Sequence, residues 1–209
     1  MATEVDICNI ALSYLGDRAT VSSIDPPEGS AQADHCARFY PISCGQILAE
    51  HPWSFATRRA KLAKVAVSPT NAGSTFTLPN DCVRVVSVHD FNAPESQYIE
   101  NYTLESFNGY TVITCACDDI YIKYVSLNTP SAAFTPLFTD ALAHLLASKL
   151  AGPLVPGTSG ASLAQEEMKI YNAFLVKAIN QDAVQSYEKE TYINPFVGDL
   201  SQGGFYGSN

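Results

Sequence analysis

Apolar residues recur at three- and four-residue intervals in four stretches of the chain, while a long central stretch is β-branched and aromatic instead. Val5, Cys8, Leu12 and Leu15 keep helical spacing behind Thr3, whose hydroxyl can cap a helix that carries Asp6 at its third position. This predicts a helix over 3–15 that Gly16 stops. A second helix is expected from about Glu28, after Asp25-Pro26-Pro27, to Glu50, with Cys36, Tyr40, Cys44, Ile47 and Leu48 on one face. Pro41 and Gly45 should kink or loosen it, and His51-Pro52-Trp53 should end it, because a residue before proline is pushed out of the helical region.

Residues 54–68 fit neither period cleanly and read as extended. From Thr75 to Leu127 four runs have strand character: Cys82–Val88, Tyr98–Leu104, Tyr110–Cys115 and Ile120–Val125. Asn108-Gly109 between two of them predicts a two-residue hairpin, since both positions of a type I′ turn need positive φ. Asp118-Asp119 marks the next turn.

Helical spacing returns where Thr135 can cap and Pro136 can occupy the first helical position, followed by Phe138, Leu142, Leu145, Leu146 and Leu150. Gly152-Pro153 should end this helix, and a loop over 152–160 should follow. Ser162 with Gln165 then reads as a capping box. The last helix would present Ala164, Met168, Tyr171, Leu175 and Ala178 and run to about Glu188. Residues 191–209 hold four glycines and four aromatics without a single Lys or Arg, too little to stay ordered alone.

The fold expected is therefore α+β, a mainly α-helical bundle with an inserted antiparallel β segment and an extended C-terminal tail. The bundle would comprise 1–68 and 135–190, the insert 75–127 and the tail 191–209. An insert of this size is marginal by itself and should lean on the bundle or on a neighbouring subunit.

Composition narrows the chemistry. The chain has 209 residues, of which 46% are hydrophobic and only 16% charged, so much of the surface is uncharged polar. There is no apolar run of membrane-spanning length, and Met1–Glu4 lacks a basic start, so a soluble, non-secreted protein is expected. Twelve Lys and Arg against 21 Asp and Glu give a net charge of -9, which argues against binding nucleic acid through its phosphates. Arg58, Arg59, Lys61 and Lys64 nevertheless form one local basic patch, read as a solvated face.

Six cysteines in a chain this long are too sparse for a disulfide scaffold, and Cys115-Ala-Cys117 is too tight for zinc-ligand spacing, so free core thiols are expected. His35, His51, His89 and His144 have no partner at a recognised spacing. The adjacent carboxylates Asp118-Asp119 and Glu166-Glu167 should face apart. No nucleophile elbow, phosphate-binding loop or metalloprotease motif occurs. No catalytic residue, cofactor or metal is therefore assigned. Trp53, the only tryptophan, is expected to anchor the junction between helices and β insert. What remains is an interaction role, with a cytosolic thiol enzyme using Cys36 or Cys44 and a distant histidine as the enzyme-class alternative.

Five blocks in order carry a resemblance. They are Ala11-Leu12-Ser13-Tyr14-Leu15-Gly16, then Asp34-His35-Cys36-Ala37-Arg38-Phe39-Tyr40, then His51-Pro52-Trp53-Ser54-Phe55-Ala56-Thr57-Arg58-Arg59-Ala60. Leu78-Pro79-Asn80-Asp81-Cys82-Val83-Arg84-Val85 follows, and then Ile120-Tyr121-Ile122-Lys123-Tyr124-Val125 with the helix Phe138–Ala151. Over roughly residues 5–190 this resembles the tail tubular protein A family of short-tailed bacteriophages.

The resemblance implies a non-enzymatic head-to-tail adaptor, or gatekeeper: a dodecameric ring beneath the portal protein that carries the tail nozzle. Genomic double-stranded DNA would pass through it without specific binding. Its place would be the head-tail junction of the virion, reached from the host cytoplasm during assembly, with no membrane involved. The family's C-terminal extension embraces the portal, which here would assign Tyr192, Pro195, Phe196, Phe205 and Tyr206 to that contact. An electronegative lumen would repel phosphates over about 8–10 Å at physiological salt. A head-completion connector of a long-tailed phage would resemble the helical parts only, and the strand texture of 75–127 disfavours it.

Because the thiols are read as free, a reductant should leave the melting temperature unchanged within about 2 °C. A loss of about 2 kcal/mol or more on reduction, measured by thermal or chemical denaturation, would mean a native disulfide was missed.

Overall fold

The computed structural model describes residues 2–18, 20–65, 73–94 and 97–185. Within them the chain forms four α-helices and two antiparallel sheets, a mixed α/β architecture with two hydrophobic cores.

Helix α1 (Glu4–Tyr14) starts on a reciprocal cap: the Thr3 hydroxyl accepts the Asp6 N–H at 3.1 Å, and the Thr3 N–H donates to Asp6 Oδ2 at 2.8 Å. Gly16, at φ +74°, turns the chain away behind it. Helix α2 (Ala31–Glu50) begins three residues later than Glu28, because the Ser30 hydroxyl accepts the Ala33 N–H. It continues through Pro41 and Gly45, where interruption was expected. Pro41 stands exposed, so water can replace the donor that the ring removes from the ladder.

Helix α3 (Pro136–Leu154) is capped by Thr135 as the sequence requires and runs two residues past Gly152-Pro153's first position. It is central: α1, α2 and α4 all pack against it, and its buried residues occupy most of its circumference. Helix α4 (Thr158–Gln185) starts four residues ahead of Ser162. The Ser162 hydroxyl donates back to the Thr158 carbonyl at 3.2 Å, a bond made inside a helix rather than a cap. The expected loop over 152–160 thus shrinks to Val155–Gly157, closed by Gly157 at φ +78°.

Strands begin at Thr57, ahead of Thr75, so most of the basic stretch belongs to the sheets. β1 (Thr57–Lys61), β7 (Ile120–Ser126) and β4 (Cys82–Asp90) form one sheet in the order β1-β7-β4. β2 (Ala63–Lys64), β3 (Ser74–Thr77), β6 (Tyr110–Cys115) and β5 (Tyr102–Phe107) form the other, in the order β2-β3-β6-β5. The chain changes sheets at Leu62, whose N–H donates to the Ile120 carbonyl at 3.0 Å. Phe76, Ile113, Ile120 and Ile122 fill the space between the sheets. Asn108 (φ +51°) and Gly109 (φ +82°) close the β5–β6 hairpin in the expected way. β5 begins at Tyr102 rather than Tyr98; Ile99 instead donates its N–H to the Val88 carbonyl at the edge of β4.

Two contacts fix the sheets to the helices. Val125 of β7 is buried in the helical core, and the Arg84 guanidinium of β4 donates to the Ala49 and Glu50 carbonyls at 3.3 and 3.2 Å. Those carbonyls are the orphan acceptors of the α2 C-terminus.

Two glycines test the α3–α4 turn with one substitution. A Cβ at Gly160 would fall 2.2 Å from the Val155 carbonyl oxygen and 2.9 Å from that of Ala151, whereas one at Gly152 would meet nothing within 4 Å. Gly160→Ala is expected to destabilise by about 1–3 kcal/mol. Gly152→Ala should stabilise by roughly 0.5–1 kcal/mol through helix propensity. Urea denaturation of both variants checks the opposite signs.

Candidate functional site

The joint between helices and sheets is built on Trp53, which is 0% exposed. Its indole N–H donates to the Ile47 carbonyl at 2.9 Å, and its ring meets Phe138 edge-on at 4.9 Å between centroids. Phe55 packs on Trp53, Phe134 and Phe138, so the end of α2, the approach to β1 and the start of α3 share one aromatic cluster. The Thr57 hydroxyl donates to the Trp53 carbonyl at 2.6 Å and sets the first residue of β1.

Asp182 of α4 enters this joint with its side chain 2% exposed. It accepts the Ser54 N–H at 3.1 Å and the Ser54 hydroxyl at 2.6 Å, and its Oδ2 stands 3.1 Å from His51 Nε2. Serine, histidine and aspartate therefore meet, but in the wrong order for nucleophile activation. A relay needs the hydroxyl on the imidazole; here both groups address the carboxylate, which caps the short turn Ser54–Ala56.

A second buried pair lies nearer the start of α4. His144 Nδ1 of α3 is 2.6 Å from Glu167 Oε2, and the imidazole is stacked on Tyr14 of α1 at 4.2 Å and on Phe174 at 5.2 Å. Burial, with the charges of Asp140 and Glu167 added, pushes the Tyr14 phenol above its ordinary range. Glu167 and Asp182 are fifteen residues apart in the sequence, about 22 Å along the axis of α4. Sequence reasoning gave neither histidine a partner. The signal was present in the seam itself, because Glu167 lies four residues before Tyr171 and Asp182 four after Ala178. Of the other histidines, His89 stacks on Tyr121 at 4.7 Å with Nε2 2.8 Å from the Ser87 hydroxyl, and His35 lies beside Phe39.

The basic patch is largely neutralised by the acidic turn. Lys61 reaches Asp119 and Lys64 reaches Asp118, each at 3.0 Å, and Arg58 stands 3.9 Å from Asp81. The Lys64 ammonium, by hydrogen bond and charge, holds the Asp118 carboxyl below its ordinary range. Arg59 stands in register directly opposite Lys123, with Ser87 next across the sheet. Above this row lies a groove of about 980 Å³ walled by Val86–His89 and by Tyr98–Glu100 with Tyr102.

The thiols are free. A shared hydrogen bond with Cys36, then burial, drives the Cys8 thiol far above its usual range, while the bond from Cys8 holds Cys36 down. Burial pushes Cys44 up to about 12. Cys36 and Cys44 are both buried. Among the described residues no three His, Cys, Asp or Glu side chains converge to hold a metal ion. Tyr192, Pro195, Phe196, Phe205 and Tyr206 lie outside the described residues.

No protein-family model matches the chain, and no curated protein matches it.

Breaking the clasp between His144 and Glu167 should be costly. His144→Ala or Glu167→Ala alone is expected to lose about 3–5 kcal/mol, because the surviving group stays buried without its partner. The double variant His144→Phe/Glu167→Leu should recover most of that loss. Chemical denaturation of the three proteins decides; equal losses in the single and double variants would refute the clasp.

Proposed function

We propose that the protein is a structural virion subunit, a head-to-tail adaptor that assembles as a ring between the portal and the tail nozzle and lets genomic DNA pass. In this reading the four helices are the adaptor's bundle and the two sheets its insert. The observation that carries the proposal is that the resembling blocks coincide with the joints of the fold. Ala11–Gly16 is the end of α1 and its stop, Asp34–Tyr40 the first half of α2, and His51–Ala60 the joint around Trp53. Leu78–Val85 brings Arg84 onto α2, Ile120–Val125 is the middle strand of its sheet, and Phe138–Ala151 is the central helix. A resemblance confined to surface segments would not fall on these positions.

The chemistry of the buried polar groups supports a structural role, since the hydrogen bonds of His51, Asp182, His144 and Glu167 join elements to one another. Net charge -9 suits a ring that DNA must traverse without adhering. Residues 191–209 would hold the portal: their glycines allow a narrow path, and Tyr192, Phe196, Phe205 and Tyr206 offer large apolar anchors at small side-chain entropy cost.

Mass photometry of the protein alone and with its portal should show a monomer or small oligomer becoming a large ring complex. Absence of any higher assembly with the portal would overturn the reading. A chain ending at Glu190 should fold and yet lose portal binding, and each of the four aromatics should cost about 1–3 kcal/mol of binding when changed to alanine. Unchanged affinity in the truncated chain would move the contact to the folded body.

A further inference from the structure

Lys149 of α3 and Lys169 of α4 line one cleft of about 470 Å³ between the two helices, together with Ser148, Ala164, Gln165 and Met168. Its floor is apolar: Met168 packs half-buried on the helical core, and the Ser148 hydroxyl is turned onto the Leu145 carbonyl. No carboxylate answers either ammonium. Among the described residues Lys149 bonds only to the Gln46 amide oxygen, at 2.8 Å, and Lys169 makes no ion pair or hydrogen bond. Glu166, one turn before Lys169, lines a different recess. Burial lowers the Lys149 ammonium from its ordinary range, a cost that an anion beside it would offset.

The chain supplies a matching segment just beyond α4. Residues 186–209 carry three acids, Glu188, Glu190 and Asp199, against Lys189, and five aromatics. Phe196 lies between Glu190 and Asp199 in the sequence, an apolar ring with a carboxylate on each side. That is the complement of an apolar cleft with a cation on each wall. Lys169 lies sixteen residues before Gln185, about 24 Å along the axis, and the eleven residues from Gln185 to Phe196 span up to about 36 Å when extended. The segment can therefore turn back to the cleft of its own chain, where its effective concentration is about millimolar, which favours it over a second copy.

We propose that the cleft between α3 and α4 seats residues 190–199 of the same chain, with Phe196 on Met168 and Ala164 and with Glu190 and Asp199 on Lys149 and Lys169. The consequence for assembly rests on the portal reading above: Phe196 is one of the anchors assigned to the portal, so the cleft covers it until the portal competes for it.

Limited chymotrypsin digestion of the full chain tests the contact, with mass spectrometry counting products that end at Tyr192 or Phe196. Lys149→Glu/Lys169→Glu and Glu190→Lys/Asp199→Lys should each be cut there about tenfold faster than wild type, with circular dichroism unchanged. The fourfold variant, in which both partners are reversed, should return to the slow rate. Lys149→Gln/Lys169→Gln should also be cut faster, and decides the matter if the reversed cleft does not fold. Variants cut at the wild-type rate, a fourfold variant that stays fast, or protection that vanishes on dilution overturn the same-chain contact and leave the adaptor reading intact. Lys149→Gln/Lys169→Gln should also bind the portal about tenfold more tightly, because the competent fraction rises. Failure of wild type to bind the portal sinks the adaptor reading, while the cleavage rates still decide the cleft.

Discussion

The burial of Trp53 is the constraint from which the rest of the architecture follows. An indole out of water needs a partner for its N–H, and the partner is the Ile47 carbonyl in the last turn of α2, which fixes how the chain leaves that helix. With the exit fixed, Phe55 falls onto Phe134 and Phe138, and Thr57 enters β1 in line with Val125 of β7. Arg84 completes the joint from the other strand of the same sheet by closing the carbonyls of the α2 terminus. Helical core and sheet core are thus joined through one side chain and its immediate neighbours.

The long helix α4 is attached differently. Its seam is sparse, with Tyr171 and Ala178 buried and Met168 and Leu175 only partly so. Two buried carboxylates supply what the apolar residues do not, each meeting a histidine on another element. Removing charge from water costs several kcal/mol per group, and a pair offsets that cost only in good geometry. An apolar seam tolerates sliding by one turn, but a carboxylate that must find one imidazole does not. The two clasps therefore fix the register of α4 against α3 and against the Trp53 joint.

Electrostatics divides the surface in a similar way. Lys61 and Lys64 are drawn to Asp119 and Asp118 of the turn between β6 and β7, so most of the basic cluster is answered within the molecule. These are exposed pairs of small worth individually. Arg59 and Lys123 face one another across β1 and β7 of the same sheet.

Features whose partners lie within a few residues can be read along the chain before it folds. The Thr3–Asp6 cap, the Asn108-Gly109 turn, the Thr135 cap with Pro136 behind it and the strand texture after Cys82 were all legible, because a hydroxyl, a positive φ or a missing N–H acts on the adjacent backbone. Ser162 shows the limit of that logic: its spacing to Gln165 is that of a cap, yet packing of the Gly160 backbone onto the end of α3 extended the helix past it. The long-range pairs come from the folded chain: His144 meets Glu167 across 23 residues, His51 meets Asp182 across 131, and Lys64 meets Asp118 across 54. Local spacing carries no record of such pairs, because topology alone selects among the many side chains that could bond equally well.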